Sequence, residues 1–323
     1  MANSNFNTAW KNDLYPLIDK TFEYKVDNYM NILKQVIGEE DDQSIDYRLA
    51  VSGGFGEIPD YDGSNLKGMN QKRGFVKIIQ QAEKAGSIDI QRLYAMADKS
   101  GEAKKAGVKA AGSLNATVYL MMLRMFGNAW NVNQIGADGL PWASLVHPVA
   151  SLGDANGTNI ADPDAGTFSN MFTNALSVSA ITTMQTAANR LVTPDGLPCM
   201  IDFSSNGLLL VSPELEPKAK ELCGPQGKLD LAPKQLPENN FNDANPIYGL
   251  QYVVIGGGND GLSAKQWGIC DKTQITEVAK IVYMQRPTVL KTDLDNPLIA
   301  RIVPYMVAGL GFGDARCIAF SQG

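Results

Sequence analysis

A glycine-rich run in the last third of the sequence has the spacing of a dinucleotide-binding loop. It reads Gly256-Gly-Gly-Asn-Asp-Gly261 and follows a predicted strand, Leu250 to Ile255. In such loops, free N–H groups at the start of the next helix hold the pyrophosphate. The segment from Leu262 to Gly268 is too short to be that helix, and no second βαβ unit follows, although Glu277 lies at a suitable distance for the ribose. A glycine-rich turn between strands is therefore the favoured interpretation.

The single histidine, His147, has Ser144 three residues before it, and these two residue types can act as base and nucleophile. No Gly-x-Ser-x-Gly turn surrounds the serine, and a base also needs a third group to orient it. With one histidine in the chain, acid–base chemistry would have to rest on carboxylates or lysines. Phosphate-loop, kinase and zinc-protease motifs do not occur. We therefore expect no catalytic residues and no enzymatic activity.

Neither the cysteines nor the acidic residues have the spacing of a metal site. The four cysteines, Cys199, Cys223, Cys270 and Cys317, are far apart, whereas a structural zinc site needs close pairs. Free buried thiols in a reducing cytoplasm are the better interpretation. The acidic run from Glu39 to Asp42 lacks the alternating ligands and turn glycine of a calcium loop, so we interpret it as a solvated surface turn. The sequence predicts no metal and no cofactor.

The composition is that of a globular protein with an acidic balance. The chain has 323 residues, 44% of them hydrophobic, with 34 acidic and 28 basic side chains and a net charge of -6. This balance argues against a protein whose main function is to bind phosphate groups through a basic surface. The first residues have no basic segment leading into an apolar stretch, and no window approaches the roughly 18 apolar residues of a membrane helix. Neither secretion nor membrane insertion is predicted.

A long glycine-punctuated segment from Leu49 to Asp89 stands before the main helices. Turn formers flank short β-type runs, Phe75 to Ile79 and Ile88 to Ile90, which predicts an extended hairpin or a long loop. Its middle, Tyr61 to Arg73, has too few apolar residues to fold alone. Such loops are unusual in compact proteins and are usually functional, so we expect this one to lie on something outside the monomer.

The rest of the sequence predicts a mixed α+β fold. The longest predicted helix, Glu102 to Asn128, has one apolar stripe and a length of about 40 Å. Further helices are predicted over Asp27 to Ile37, over Ser169 to Leu191, and over Ser212 to Gly224, where Ser212 is a candidate cap. The predicted strands are 208–211, 250–255, 279–284, 288–291, 298–303 and 317–320. Sheet content is therefore concentrated late in the chain.

The order of these segments resembles the major capsid proteins of tailed bacteriophages, the Hong Kong 97 type, and within them the Mu-like head subunits. Five segments carry the resemblance: Ser52 to Tyr61, Ile88 to Asp98, Leu140 to His147, Leu208 to Glu216, and Leu294 to Pro304 with Ala315 to Phe320. They span nearly the whole chain. Their specificity comes from order and spacing, because each segment alone is degenerate.

The resemblance implies a domain organisation. An N-terminal arm would comprise residues 1–48 and an E-loop residues 49–90. A peripheral domain with a long spine helix would comprise 91–137 and 276–312, and an axial domain 138–275 and 313–323. Within the E-loop, the residues expected to contact a neighbouring subunit are Tyr61, Lys67, Lys72 and Arg73. Some family members crosslink subunits through an E-loop lysine, but solvated or ion-paired contacts are favoured for these lysines.

The resemblance also implies the partners. Copies would assemble as hexamers and pentamers into an icosahedral head that encloses double-stranded DNA, which is held non-specifically. A separate scaffolding protein, a portal and a decoration protein are further expected partners, and no membrane is involved. The head would be assembled in the host cytoplasm and would form the virion capsid. The alternatives are another phage structural protein, such as a tube subunit, or a soluble enzyme of unassigned class.

Overall fold

The computed structural model describes residues 11, 14–16, 18–19, 33–52, 55–61, 63, 66–69, 73–97, 101, 105–152, 159–223, 247, 249–257, 259–292 and 298–323. Within these ranges, residues 11, 14–16 and 18–19 are helical. The helices whose bounds are described are α1 (Arg92–Met96), α2 (Ala106–Gly127), α3 (Val178–Ala188), α4 (Glu216–Cys223) and α5 (Lys272–Val278). The strands are β1 (Gly38–Asp41), β2 (Asp46–Ser52), β3 (Arg73–Gln80), β4 (Ala82–Ala85), β5 (Ile88–Gln91), β6 (His147–Pro148), β7 (Thr167–Phe168), β8 (Met171–Phe172), β9 (Gly207–Val211), β10 (Gln251–Val254), β11 (Gly256–Gly257), β12 (Asp260–Gly261), β13 (Trp267–Asp271), β14 (Ala279–Thr292), β15 (Ile299–Phe312) and β16 (Ile318–Ser321). None of the helices described is long and apolar enough to cross a membrane.

The first sheet is built on two long antiparallel strands, β14 and β15. Its order is β1-β14-β15-β4, and β5 pairs with the start of β15. The pairing of β14 shifts register between Tyr283 and Thr288, where Pro287 has no N–H to donate to the ladder. This irregularity explains why the sequence pattern predicts two short strands there instead of one long strand.

The two faces of β15 near its start have different surroundings. Burial alternates from Ile299 onward, as the two-residue period of a strand requires. Ala300 and Ile302 lie on the buried face and belong to one apolar cluster with Leu14 and Ile18 of the N-terminal segment. The N-terminal segment therefore covers this face of the first sheet, and the face of Ile299 is the opposite one.

The second sheet has the order β10-β9-β13-β16-β8 and is covered on both faces. Every residue of β9 is buried, as are all residues of β13 and β16. Leu208 and Leu210 of β9 pack into the core with α2, whereas Leu209 and Val211 pack with α3 and α4. Burial on both faces explains the continuous apolar run in the sequence, which has no alternation.

Trp142 joins the long helix and the two sheets. Its ring is stacked on Phe312 of β15 at 4.6 Å between centroids, and meets Phe126 of α2 at 5.2 Å and Phe320 of β16 at 5.4 Å. The indole is fully buried. Aromatic contacts of this kind add to the burial term, so the core is continuous between the sheets.

Several sequence predictions are confirmed and others are wrong in their bounds. The long helix is present as α2, and the glycine-rich run is a turn between β11 and β12, as predicted. The second helix, α3, begins only at Val178, because residues 167–168 and 171–172 pair as short strands. Of the helix predicted from Asp27 to Ile37, the described residues include only a 3-10 turn, Leu33–Gln35.

Two local predictions are wrong. The acidic run is no solvated turn: Glu39, Glu40 and Asp41 belong to β1, which pairs in parallel with β14. Glu39 is ion-paired with Lys34 of the 3-10 turn before β1. Glu40 and Asp41 are ion-paired with Lys280 and Arg286 of β14. Ser212 does not cap the following helical segment with its side chain; its buried hydroxyl donates instead to the carbonyl of Ala264.

Candidate assembly surfaces

The hairpin of β2 and β3 presents a loop with exposed apolar side chains. The strands pair antiparallel from Asp46 with Gln80 to Ser52 with Arg73, which confirms the predicted extended hairpin. Between them lies the connecting loop, residues 53–72. Four large apolar side chains among its described residues are exposed: Phe55 60%, Ile58 81%, Tyr61 65% and Leu66 89%. Exposed apolar residues grouped on one segment mark an interaction surface.

Of the four predicted contact residues, the structure describes two completely and one only in its backbone. Tyr61 and Lys67 lie exposed in the connecting loop. Arg73 is the first residue of β3, where its backbone pairs with Ser52, and its side chain is outside the described residues. Lys72 also lies outside them. Ile58 and Leu66 are not among the predicted contact residues, although their size and apolarity within a glycine-rich loop could have identified them.

Asn159 fixes the outer edge of the hairpin. Its Oδ1 accepts the N–H of Val76 at 3.0 Å, and its Nδ2 donates to the carbonyl of Val76 at 2.7 Å and to that of Ala137 at 2.6 Å. The neighbouring Lys77 donates from Nζ to the carbonyl of Ile135 at 2.9 Å, and burial lowers the pKa of this lysine. The hairpin is thus tied to the loops that follow α2.

Two glycines of β15 form the seat of the hairpin. Ile79 of β3 lies against Gly309 and Gly311, where an added Cβ would stand 2.8 Å from Ile79 Cγ2 and 2.7 Å from Ile79 Cγ1. At Gly309 it would also come within 2.7 Å of the carbonyl oxygen of Gln80. Both distances are too short for a real contact, so the close approach of β3 to β15 requires glycine at these positions.

A small polar cluster joins the hairpin to the edge of the first sheet. Tyr47 of β2 donates to Glu40 of β1 at 2.7 Å, and Lys280 of β14 donates to the same carboxylate oxygen at 2.9 Å. The hydrogen bonds from Lys280 and Tyr47 hold the pKa of Glu40 below its usual range. Burial and the adjacent Glu40 raise the pKa of Tyr47 to about 12. We call these three residues the β1 clasp.

A second exposed apolar surface lies at the far end of the first sheet. Leu93 and Met96 of α1, with Leu298 and Ile299 at the start of β15, line a groove of about 470 Å³ together with Gln91 and Arg92. Leu93 is 74% exposed, Met96 71% and Leu298 56%. We call this surface the α1 groove. The sequence did not predict it, because its walls come from segments far apart in the chain.

His147 is a buried structural residue. Its Nδ1 lies 2.5 Å from Asp138 Oδ2, and its Nε2 lies 3.2 Å from both the carbonyl oxygen of Trp142 and Asn170 Oδ1. Both ring nitrogens are therefore occupied by groups other than Ser144, whose Oγ accepts the N–H of Val146. The structure does not bring serine and histidine together as nucleophile and base.

Arg316 extends this buried network toward the second sheet. Its guanidinium pairs with Asp314 at 2.8 Å, donates to the carbonyl of Val192 at 3.1 Å and also donates to that of Val149. It lies over the ring of Phe168, on which His147 is stacked. Because these groups are mutually paired, the network holds the surrounding loops together.

The cysteines are free thiols, and three of them are buried: Cys223, Cys270 and Cys317. Cys199 is only half-buried, which corrects the expectation that all four lie in the core. Burial raises the pKa of the Cys199 thiol to about 11 and also raises the pKa of Cys270 and Cys317. A raised pKa keeps a thiol protonated and unreactive. No three metal-ligating side chains are grouped in the described part of the chain.

Comparison with known proteins finds similarity in structure. No protein-family model matches the sequence, and no curated protein matches it either. The capsid of an empty GTA particle superposes with a TM-score of 0.51 at 10% identity, covering 90% of this chain and 88% of that one. The capsid of the cyanophage P-SCSP1u gives 0.50 at 11%, covering 90% and 87%. The capsid of Ralstonia phage GP4 gives 0.50 at 13%, covering 86% and 82%.

At this identity the similarity concerns the fold. It covers about nine-tenths of the chain in the first two comparisons. The chain therefore has an α+β fold similar to that of these capsid proteins.

Proposed function

We propose that this chain is the major capsid protein of a tailed bacteriophage and belongs to the Mu-like subgroup of Hong Kong 97-type head subunits. Copies assemble as hexamers and pentamers, and these tile an icosahedral head around double-stranded DNA. One observation carries the role: a capsid-protein fold combined with a long loop whose large apolar side chains stand in solvent. An isolated globular protein gains nothing from such a loop.

Assembly follows from the burial of exposed apolar area between copies. Each Å² of apolar surface removed from water contributes roughly 25 cal/mol before the losses of association. Single interfaces can be modest, because each subunit is held by several neighbours at once. The proposed contact residues of the loop segment are Tyr61, Lys67, Lys72 and Arg73.

The domain organisation that we propose is an arm at 1–48, an E-loop at 49–90, a peripheral domain at 91–137 and 276–312, and an axial domain at 138–275 and 313–323. The distribution of the sheets supports it. Both β14 and β15 lie within the proposed peripheral domain, and the strands of the second sheet lie within the proposed axial domain. The last strands of the loop segment, β4 and β5, return to pair with β15.

The proposed partners are other copies of the chain, a separate scaffolding protein, a portal, a decoration protein and packaged DNA. The net charge of -6 supports a non-specific relation to DNA, because a strongly basic lining would bind it tightly. We place the protein in the virion capsid, assembled in the host cytoplasm, and assign it no enzymatic activity.

The test is replacement of residues 53–72 by Asn-Gly. Because Ser52 already pairs with Arg73, a two-residue turn can close the hairpin without changing its register. We expect the native chain to form spherical particles in negative-stain microscopy and the shortened chain to be a folded species that forms none. Spherical particles from the shortened chain would refute the role of the loop. Rods or a stable monomer from the native chain would refute the capsid assignment.

A further inference from the structure

The ring of His147 meets oxygen atoms at both of its nitrogens. Nδ1 lies 2.5 Å from Asp138 Oδ2, and Nε2 lies 3.2 Å from both the Trp142 carbonyl oxygen and Asn170 Oδ1. An ionised carboxylate and a backbone carbonyl accept hydrogen bonds and do not donate them. The protonation of the ring therefore depends on which end of the Asn170 amide faces it.

The orientation of the Asn170 amide is fixed by its other partners. Its Oδ1 accepts the N–H of Ser144 at 2.9 Å, and its Nδ2 donates to the carbonyls of Trp142 at 2.7 Å and Ala315 at 3.2 Å. Exchanging the two ends would set the amide nitrogen against an N–H group and the amide oxygen against two carbonyl oxygens. The atom that faces His147 is therefore the oxygen, which is an acceptor.

These contacts are incompatible with a neutral histidine ring. A neutral imidazole has one N–H group and one lone pair, so one nitrogen of His147 would direct its lone pair at an acceptor. An imidazolium donates from both nitrogens and satisfies all three contacts. The ring is 1% exposed, so water gives no relief to an unfavourable contact. The geometry therefore requires one proton more than a neutral ring beside an ionised carboxylate would hold.

We propose that His147 carries a proton on each ring nitrogen at neutral pH, and that the second proton fastens the loop after α2 to the second sheet until alkaline pH removes it. The proton stays on the ring, because imidazole binds a proton about 400-fold more tightly than a carboxylate of ordinary strength. The N–H of Leu140 donates to the other oxygen of Asp138 at 3.1 Å, which favours the ionised carboxylate. His147 and Asp138 thus form a buried pair of opposite charges.

The charged groups on the other side of the ring are paired with each other. Phe168 is stacked on His147 and lies under the guanidinium of Arg316. Arg316 in turn is ion-paired with Asp314 at 2.8 Å. These two opposite charges offset one another, and the counter-charge of Asp138 comes from His147.

Strand β3 also approaches Asp138. Phe75 of this strand lines a cavity of about 10 Å³ together with Asp138. The lysine of the same strand, Lys77, donates to the carbonyl of Ile135 at 2.9 Å. The ammonium group of Lys77 is therefore bonded to a neutral acceptor, and the charge in contact with Asp138 is that of the histidine ring.

The charged pair joins the hairpin side of the molecule to the second sheet. Asp138 follows Ala137, whose carbonyl accepts from the Asn159 amide that also bonds to β3. On the other side, the backbone carbonyl of Asn170 accepts the N–H of Phe320 in β16. Loss of the second proton would leave a ring lone pair facing an acceptor. The two sides would then repel each other at this contact, and the junction would open.

Nuclear magnetic resonance of the ring tests the protonation directly. The chain has one histidine, so its two ring nitrogens are observed without assignment. The full chain is labelled with ¹⁵N in the histidine ring, and solid-state spectra show whether each nitrogen has a directly bonded proton. At about pH 8 we expect both nitrogens of the folded chain to be protonated, and those of the chain unfolded in urea to share a single proton. A folded chain in which either nitrogen lacks a bonded proton would overturn the inference.

The pH dependence of unfolding is the second readout. A folded state that holds one proton more than the unfolded state loses stability as the pH rises, by up to about tenfold in the unfolding equilibrium constant per pH unit. Asp138→Asn removes the counter-charge, and its amide can donate to Nδ1 of a neutral ring. Between about pH 7 and about pH 9, we expect the unfolding constant of this variant to rise about tenfold less per pH unit than that of the native chain.

Two comparisons isolate the contribution of the pair. Buried thiols such as Cys270 add a slope of the same sign, but they add it equally to every variant. The matched control is Asp164→Asn, which changes the net charge by the same amount at an exposed residue and should keep the native slope. Equal slopes in the native chain and in Asp138→Asn would refute the role of the proton.

These outcomes are separate from those that decide the proposed function. Neither readout requires particles, so a native chain that forms none would refute the capsid role while the spectra still decide the protonation of His147. If Asp138→Asn does not fold, the spectra of the native chain decide alone.

Discussion

Asn159 completes the backbone hydrogen bonding of Val76, accepting its N–H at 3.0 Å and donating to its carbonyl at 2.7 Å. A side-chain amide thus replaces a neighbouring strand at the outer edge of β3. Edge strands expose unpaired backbone groups that can pair with other chains, and here one residue closes part of that edge while tying the hairpin to the loop at Ala137.

Replacing Asn159 should loosen the hairpin. Asn159→Ala removes three hydrogen bonds, and we expect a loss of about 1–3 kcal/mol in the free energy of unfolding. Asn159→Asp keeps the acceptor but sets a carboxylate oxygen against two carbonyl oxygens, so it should lose at least as much. Urea denaturation measures both, and hydrogen exchange at Val76 reports the local effect. The control is Asn133→Ala at an exposed asparagine; equal effects at both positions would contradict the role of Asn159.

Removing His147 should destabilise the junction between the sheets. His147→Leu leaves the nearly buried Asp138 carboxylate without its hydrogen-bond partner at Nδ1, and an unsatisfied buried acceptor costs about 1–3 kcal/mol. The double variant His147→Leu, Asp138→Asn removes the charge as well, so it should recover part of the loss. Midpoints of urea denaturation give the comparison. A double variant no more stable than the single one would show that the unpaired carboxylate of Asp138 is not the source of the effect.

Because of the β1 clasp, we expect the free energy of unfolding to decrease at both low and high pH. The pKa of Glu40 is lowered from 4.5, so its contribution is complete above pH 4.5 and is lost as the pH falls through the lowered pKa. The pKa of Tyr47 is raised from 10.0 to about 12, so its contribution is complete below pH 10 and is lost as the pH rises toward 12.

Two variants of the clasp separate these ends. In a plot of the unfolding midpoint against pH, Lys280→Met should flatten the decline at low pH (the acid limb). The reason is that Lys280 is the main cause of the lowered Glu40 pKa. Tyr47→Phe should flatten the alkaline limb. Acid and alkaline limbs that match the native protein in both variants would rule out the clasp as their origin.

Gly311→Ala should overpack the seat of the hairpin. The three atoms nearest to the added methyl all belong to the Ile79 side chain, and overpacking of this kind costs about 1–3 kcal/mol. Shortening the opposing side chain in Ile79→Ala should make room for it, so the loss in the double variant should be smaller than the sum of the single losses. Strict additivity in the denaturation energies would mean that the two residues do not compete for the same space.

The sequence predicted those elements whose pattern is local. The stripe of α2, the apolar run of β9 and the glycine turn at 256–261 need no distant partner to be recognised, and each is present. The acidic run was misassigned because its strand character depends on pairing with β14 and on the basic side chains found there.

The same limit explains what was missed at the candidate surfaces. Met96 and Leu298 form one groove only because β5 pairs with the start of β15. Asn159 is one of many asparagines in polar loops, and nothing in its neighbourhood in the sequence indicates that it bonds to Val76. Tyr61 and Lys67, by contrast, were placed in the connecting loop correctly because glycine spacing alone defines that loop.

Gly309 and Gly311, which lie against Ile79, also determine the direction in which the hairpin extends from β15. Gly309 and Gly311 form a base about 7 Å wide, and the hairpin extends about 20 Å from it, over the six residue steps between Ile79 and Arg73. Raising one side of this base by about 1 Å would tilt the hairpin by about 8° and carry its tip sideways by about 3 Å. The absence of a Cβ at Gly309 and Gly311 therefore determines the angle at which the hairpin leaves β15, and a small change at these two residues produces a larger displacement at the tip of the hairpin.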